Sequence, residues 1–444
     1  MKKSKNCAIL YGVSRKKRHK NGDFMKKTSG ISQKILTTAA NLAASWENDD
    51  LTLDVLLDDL RESNAPERAA VSDLLFEYFR HKGFIDGLIT KHAKHERVRQ
   101  DMRLIVACAA TQIFFQTGIA PESAVNVAVD TGKQLRGPGG GGFVNAMLRS
   151  FLRDKSFKHD DIPVSFPVEL KVRWEECFGR DKTKEMTGFF ASNPPLTFRL
   201  RDESARAELE AAGATPVTGL DFLENTGFQF YSMKSPAPLF SGNYLEKARI
   251  YIQDPATAMA FSLLEEAPKG YLLDCCAAPG GKAVMLSDLC DPATIKLTVC
   301  DKSQKRLMQM NRNLQRAGVR CRSLAADAME PPFSPNTFDF ILADVPCTNS
   351  GVFRRRPDAP WRFSQCRLLD TVKLQTRLLD SLARILKING QLLYSTCSIE
   401  PEEDLKQVEN FVLAHPNFEI VKSRLLLPGE SHDGAFAALI RKKS

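Results

Sequence analysis

The stretch YLLDCCAAPGGKAVML, residues 271–286, decides how the chain is read. Its opening residues are a short apolar run of the kind that fills a buried strand. Ala278-Pro279-Gly280-Gly281-Lys282 then breaks the run, and AVMLSDLC resumes with helical spacing. The same change of period repeats downstream. Strands are expected at KLTVCD (296–301), CRSLAAD (321–327), FDFILADVPC (338–347), GQLLYSTCS (390–398), FEIV (418–421) and AFAALIRK (435–442). Helices are expected at SQKRLMQMNRNLQRAG (303–318), over about 364–387, and at EEDLKQVENFVLAHP (402–416). Strands alternating with helices imply a doubly wound, Rossmann-like α/β sheet over residues 246–444.

Upstream the periodicity changes. Residues 30–155 read as an all-α bundle, with apolar residues at three- and four-residue spacing in ISQKILTTAANLAASW (31–46), RLIVACAATQIFFQT (103–117) and PESAVNVAVDTGKQL (121–135). The run GPGGGG (137–142) reads as a flexible loop before a helix that starts at Phe143. Residues 156–245 are proline-punctuated, with short alternating segments such as LTFRLR, and read as a small α+β unit.

The chain has 444 residues, 43% hydrophobic and 26% charged, as a multidomain globular protein should be. No apolar run reaches the length of a membrane span, and the N-terminus lacks a signal-peptide pattern, so the expected location is cytoplasmic. The net charge of +9 is local. Residues 1–30 hold ten Lys/Arg and one Asp, and the remainder carries 52 of each sign. Residues 1–29 read as a basic disordered tail, within which Met25 offers a second start. None of the 11 cysteines has the C-x-x-C spacing of a zinc or redox site, and no metal is expected. Cys7, Cys108, Cys177, Cys290, Cys300, Cys321 and Cys366 read as inert thiols.

In such a sheet, ligands bind at the carboxyl ends of the strands. The Ala278–Lys282 loop is neither G-x-G-x-x-G nor a Walker loop, which weighs against a dinucleotide or ATP. Asp301, Asp327 and Asp344 come at the ends of successive strands. Each alone is most simply a helix cap. Together, beside a glycine loop, they suit an adenosine ligand, and S-adenosyl-L-methionine is the natural candidate. The loop Asp344-Val345-Pro346-Cys347 is similar to the D/N-P-P-[YF] loop of amine methyltransferases, with a thiol in place of the aromatic ring. Carbon 5 of a pyrimidine becomes nucleophilic only when a thiolate adds at carbon 6. That chemistry needs one attacking thiol and a second group that assists release. Cys347 and Cys397 both end strands at one cleft, and either could attack. Asp344 could hold or protonate N3 of the base. Arg354, Arg355 and Arg356 are placed to grip RNA phosphate, with Phe353 or Trp361 to stack on a base.

The motifs DCCAAPGGKA (274–283), ADVPCTNSGVFRRRPD (343–358) and LLYSTCSIEPEE (392–403) resemble the Sun family of RNA 5-methylcytosine methyltransferases. The likeness spans residues 190–444 and includes NPPLTFRLR (193–201) and YIQDPAT (251–257). It implies a class I methyltransferase domain, an RRM-like linker domain, Cys397 as nucleophile and Cys347 in product release. It also implies that Cys276, Ala277, Ala278, Pro279, Gly280, Gly281, Lys282, Asp301, Asp327 and Asp344 bind S-adenosyl-L-methionine. The segment PESAVNVAVDTGKQLRG with FVNAMLR resembles the NusB-like RNA-binding domain. That fusion is similar to the bacterial Sun/RsmB branch, which implies a cytosine of small-subunit ribosomal RNA as target, met before the subunit is fully assembled. The alternatives are the same chemistry on tRNA, and a noncatalytic RNA-binding assembly factor.

Overall fold

The structure is a computed structural model. It describes residues 30–443 except 59, 61–63, 94–96, 158–161 and 163. The basic tail 1–29 lies outside the described residues. The chain divides into two compact units, up to residue 163 and from 164 onward.

In the first unit the helices are α1 (Ile31–Asn48), α2 (Leu53–Asp58), α3 (Ala65–Arg80), α4 (Lys82–His92), α5 (Gln100–Phe115) and α6 (Pro121–Leu152). Helix α5 is buried continuously from Leu104 to Phe114, so it is apolar all round and forms the centre of the bundle.

The glycine run is not the flexible loop that its composition suggested. It lies inside α6, which breaks only at Arg136 and Gly137, where Gly137 has φ +69°. The physical reason is close approach. A Cβ on Gly140 would stand 2.4 Å from the Gly132 carbonyl oxygen, and one on Gly132 would stand 2.9 Å from the Val144 side chain. The two halves of α6 fold back on each other at a distance only glycine allows. Gly140→Ala therefore costs stability despite alanine's better helix propensity. The overpacking penalty is about 1–3 kcal/mol, against a propensity gain of about 1 kcal/mol. Denaturant unfolding measures it, and a stabilised Gly140→Ala protein would contradict the close packing.

The second unit opens with α7 (Val168–Phe178) and α8 (Arg180–Phe190). A four-stranded antiparallel sheet follows: β1 (Leu196–Leu200), β2 (Thr215–Pro216), β3 (Gln229–Met233) and β4 (Ile250–Ile252), in the order β2-β3-β1-β4. Strand β4 lies beyond residue 245, in the segment assigned from sequence to the α/β domain, yet it pairs with β1. The small sheet is tied to the large one by charge, because Arg199 and Arg201 both bond Asp288 at 2.8 Å.

The large sheet comprises β5 (Gly270–Cys275), β6 (Ile295–Asp301), β7 (Arg322–Ala325), β8 (Phe338–Asp344), β9 (Leu386–Thr396), β10 (Phe418–Leu426) and β11 (Ala435–Lys442). Its order is β10-β11-β9-β8-β5-β6-β7, with β11 antiparallel to both neighbours and the remaining pairs parallel. Alternate residues of each strand feed opposite cores. Leu272, Val299, Phe340 and Leu342 meet residues that follow the glycine loop, including Val284 and Leu307. Leu273, Cys300, Ile341 and Ala343 meet Leu378, Leu382 and Val408 on the other face. Both faces are covered, so the strands read as continuous apolar runs rather than alternating ones. The chain order reverses between β5 and β8, which opens a crevice at their carboxyl ends. No helix among the described residues is long and apolar enough to cross a membrane.

Candidate active site

The crevice brings together most of the residues singled out by sequence. At the tip of β5 the chain turns through Cys276, whose φ of +62° is a conformation that L residues rarely adopt. Gly280 takes φ +102°, and a Cβ there would stand 3.1 Å from Met310. The loop is thus a backbone cradle leading into helix α9 (Gly281–Leu289), whose N-terminal amides favour an anionic group. At the tip of β6, Asp301 is buried. Its carboxylate accepts from the Ser303 amide at 2.8 Å and the Ala278 amide at 3.3 Å, so it ties the cradle to the next helix. Asp327 lies just past β7, where it pairs with Lys302 at 2.6 Å and accepts from the Met329 amide. Acids at the ends of β6, β7 and β8 beside a glycine turn are a donor and acceptor set suited to an adenosine ligand with a carboxylate tail.

Asp344 ends β8 in register with Ser395 of β9. The Ser395 hydroxyl donates to Asp344 Oδ1 at 2.9 Å, and Lys282 Nζ lies 2.8 Å from the same oxygen. Burial pushes the Lys282 ammonium down. Asp344 first, with Cys397 nearby, outweighs it and holds the ammonium above its ordinary value. Lys282 therefore stays charged beside both. In β5 itself, Asp274 is fully buried with neither carboxylate oxygen hydrogen-bonded. Burial first, then the charge of Asp344, pushes it well above the carboxylate range, which keeps it neutral.

The two thiols meet. Cys347 Sγ and Cys397 Sγ are 3.3 Å apart, hydrogen-bonded and far longer than a disulfide. The Cys397 thiol also lies 3.2 Å from Asn349 Oδ1, and the Asn349 amide donates back to the Cys347 carbonyl at 3.1 Å. Asn349 takes φ +61°, so this loop is bent to bring its side chain under Cys397. The hydrogen bond to Cys397 first, then burial, pushes Cys347 well above the usual thiol range. Of the pair, Cys397 is the one that lines a pocket together with Lys282.

The arginine loop, read from sequence as a phosphate grip, is bonded in part to the protein itself. Arg355 is locked between Asp254 at 2.8 Å and Asp433 at 2.6 Å, and Arg354 is buried and donates to the Glu430 carbonyl. Arg356 is half-buried. Phe353 is 1% exposed and packs on Trp174, Phe190 and Phe166, so it is unavailable to stack on a base; Trp361 is half-buried. The reason is tertiary: Phe166 and helices α7 and α8 cover this loop, which no local sequence signal reveals. Behind Cys397 a cavity of about 50 Å³ is lined by Asp254, Lys282, Ser395, Asp433 and Phe436. Burial first, then the charge of Asp254, pushes Asp433 up to about 7.

Sequence reading also missed Glu403, a fully buried carboxylate bonded to the residues that follow both cysteines. Its only sequence signal is the acidic cluster after the Thr-Cys-Ser tip. Burial pushes it up to about 7, against the pull of its hydrogen bonds from Ser398 and Thr348. Between the ordinary value of 4.5 and about 7, the folded state holds a proton that the unfolded chain has released. Stability therefore falls as pH rises through that window. Glu403→Gln flattens this part of a melting-temperature profile against pH. An unchanged slope would mean that Glu403 is ionised throughout.

Comparison with known proteins agrees with this geometry. Residues 261–436 match the family model described as 16S rRNA methyltransferase RsmB/F, and residues 33–153 match the NusB family. The chain is 29% identical over 347 residues to ribosomal RNA small subunit methyltransferase B of Vibrio cholerae, covering 73% of this chain and 78% of that protein. It is 26% identical over 399 residues to the protein of the same name from Escherichia coli, covering 85% and 91%. Among solved structures, PH0851 superposes with a TM-score of 0.74 at 22% identity, covering 94% of this chain and all of the other. NSun6 from Pyrococcus horikoshii, solved with SFG, gives 0.53 at 18% identity, covering 63% and 99%. Residues 261–436, which hold this crevice, are thus an RsmB/F-type methyltransferase domain, and residues 33–153 are a NusB-family domain.

Proposed function

We propose that the protein transfers a methyl group from S-adenosyl-L-methionine to carbon 5 of a cytosine in small-subunit ribosomal RNA, through a covalent adduct with Cys397. The observation that carries this reading is the pair of thiols 3.3 Å apart, with a lysine cation beside one of them. Amine methylation has no use for such a pair.

S-adenosyl-L-methionine supplies an electrophilic methyl group. Cys276 to Lys282 would hold its amino-acid end, Asp301 the ribose, Asp327 the adenine, and Asp344 the side facing the base. The P. horikoshii relative's SFG is an analogue of this cofactor, which supports the assignment. Cys397 attacks C6 as the thiolate, paired electrostatically with Lys282. The S–C6 bond forms, and the ring's electron pair moves toward C5. N3 takes up a proton from solvent as the adduct forms, and the Asp344 carboxylate accepts the resulting N3–H and stabilises the adduct; that proton is lost again when the ring is restored. C5 would then bond to the methyl carbon as that carbon's bond to the cofactor's sulfonium sulfur breaks, with S-adenosyl-L-homocysteine as the leaving group. Once the charge of Cys397 is in a covalent bond, it no longer holds the proton on Cys347. Cys347 gives that proton to water and takes the C5 proton. The S–C6 bond breaks and the ring's double bond is restored.

The NusB-family region, over about 30–155, serves RNA binding, and residues 156–252, with β4 included, serve as an RRM-like linker domain that precedes the catalytic domain in sequence. The substrate is ribosomal RNA before full subunit assembly, in the cytoplasm. The test is tritium release from RNA transcribed with [5-³H]cytidine, incubated with S-adenosyl-L-methionine. Release matched one-for-one by methyl incorporation is the expected result. Methyl incorporation without tritium release would place the methyl elsewhere, and neither signal on any RNA would favour a noncatalytic assembly factor. Release from tRNA transcripts instead of ribosomal RNA would move the substrate.

A further inference from the structure

Attack at C6 and proton removal at C5 concern adjacent ring atoms, so two sulfurs on different strand tips must be held at a fixed short spacing. One side chain spans both tips. Glu403 Oε1 accepts from the Thr348 amide at 2.9 Å, and Oε2 accepts from the Thr348 hydroxyl at 2.5 Å. The same Oε2 accepts from the Ser398 hydroxyl at 2.5 Å. Thr348 follows Cys347, and Ser398 follows Cys397. Gln375 donates to Glu403 at 3.3 Å and to the Pro346 carbonyl at 2.9 Å, which closes the knot on the other side of Cys347. The Tyr394 hydroxyl donates to the Glu403 carbonyl at 2.7 Å and fixes its backbone.

We propose that Glu403 is the positioning residue that sets the spacing of the two reacting thiols. This rests on the two-thiol reading above. Glu403 touches neither sulfur, so it acts through Thr348 and Ser398. Its grip is unequal. It binds a backbone amide beside Cys347 but only a side-chain hydroxyl beside Cys397. Losing the carboxylate therefore displaces Cys347 more, and release suffers before attack.

The test compares the wild-type protein with Glu403→Ala, Glu403→Gln and Ser398→Ala, each incubated with RNA substrate and S-adenosyl-L-methionine. Glu403→Ala is expected to accumulate a protein–RNA adduct on a denaturing gel although both cysteines are intact. Its kcat falls about 100-fold, as a displacement near 1 Å can cause, while KM for the cofactor stays within about twofold. Glu403→Gln keeps the size and one acceptor and recovers about tenfold of that loss. Ser398→Ala, which empties little volume, shows a smaller accumulation and carries the test should Glu403→Ala fail to fold. Turnover like the wild type, with no adduct in any variant, overturns the proposal. So does equal loss of adduct and turnover without rescue by Glu403→Gln, which is the pattern of a merely structural residue. A wild-type protein that releases no tritium defeats the underlying two-thiol reading instead.

Discussion

Cys397→Ala is expected to lower methyl transfer by at least ~10⁴-fold, because removing the attacking atom of a covalent mechanism leaves only binding and orientation. Cys347→Ala should also stop turnover, but by a different route. It retains Cys397 beside Lys282, so attack and methyl transfer proceed and the methylated base stays bound. A slow-migrating protein–RNA species on a denaturing gel is expected with Cys347→Ala and not with Cys397→Ala. The geometry gives the reason for this division. Cys347 is the thiol pushed up by its neighbour and by burial, whereas Cys397 is the one beside the Lys282 cation. An adduct seen only with Cys397→Ala would exchange the two roles.

The second large effect is expected at Lys282. Its ammonium bonds Asp344 and is held charged partly by Cys397, so it serves the base-side carboxylate and the nucleophile together. Lys282→Met should reduce kcat/KM by about 10²–10³, in the range for removing one preorganised charge-stabilising group. Asp344→Asn should do comparable harm. Because the two act as a pair, the double variant should lose clearly less than the product of the single losses. Four kcat/KM values decide it. Strict additivity would mean that the ion pair seen in the crevice is not maintained during the reaction.

Much of the α/β half was legible without the structure. Its strands are buried on both faces, so each is a dense apolar run, and four of them run out at residues proposed for the site: Cys276, Asp301, Asp344 and Cys397. The alternation of periods places these ends on one edge of a doubly wound sheet. The flexible-loop reading of the glycine run 137–142 failed because it was judged by local composition, which describes a segment in water, and the same limit hid the internal partners of the arginines 354–356. Gly132 and Gly140 are small because the halves of α6 touch there, and Arg355 is charged because Asp254 and Asp433 are buried beside it.

The sequence by itself determined the order of strands and helices, the cofactor loop and the two candidate cysteines, because period and turn chemistry are local properties of the chain. Only the tertiary structure decided which thiol faces the lysine, that the thiols stand 3.3 Å apart, and that Glu403 joins their loops. The two thiols lie 50 positions apart in the chain, and the pairing of β8 with β9 fixes their distance. No local pattern encodes the register of a parallel pair, because the connection that sets it runs through a whole helix packed on the sheet.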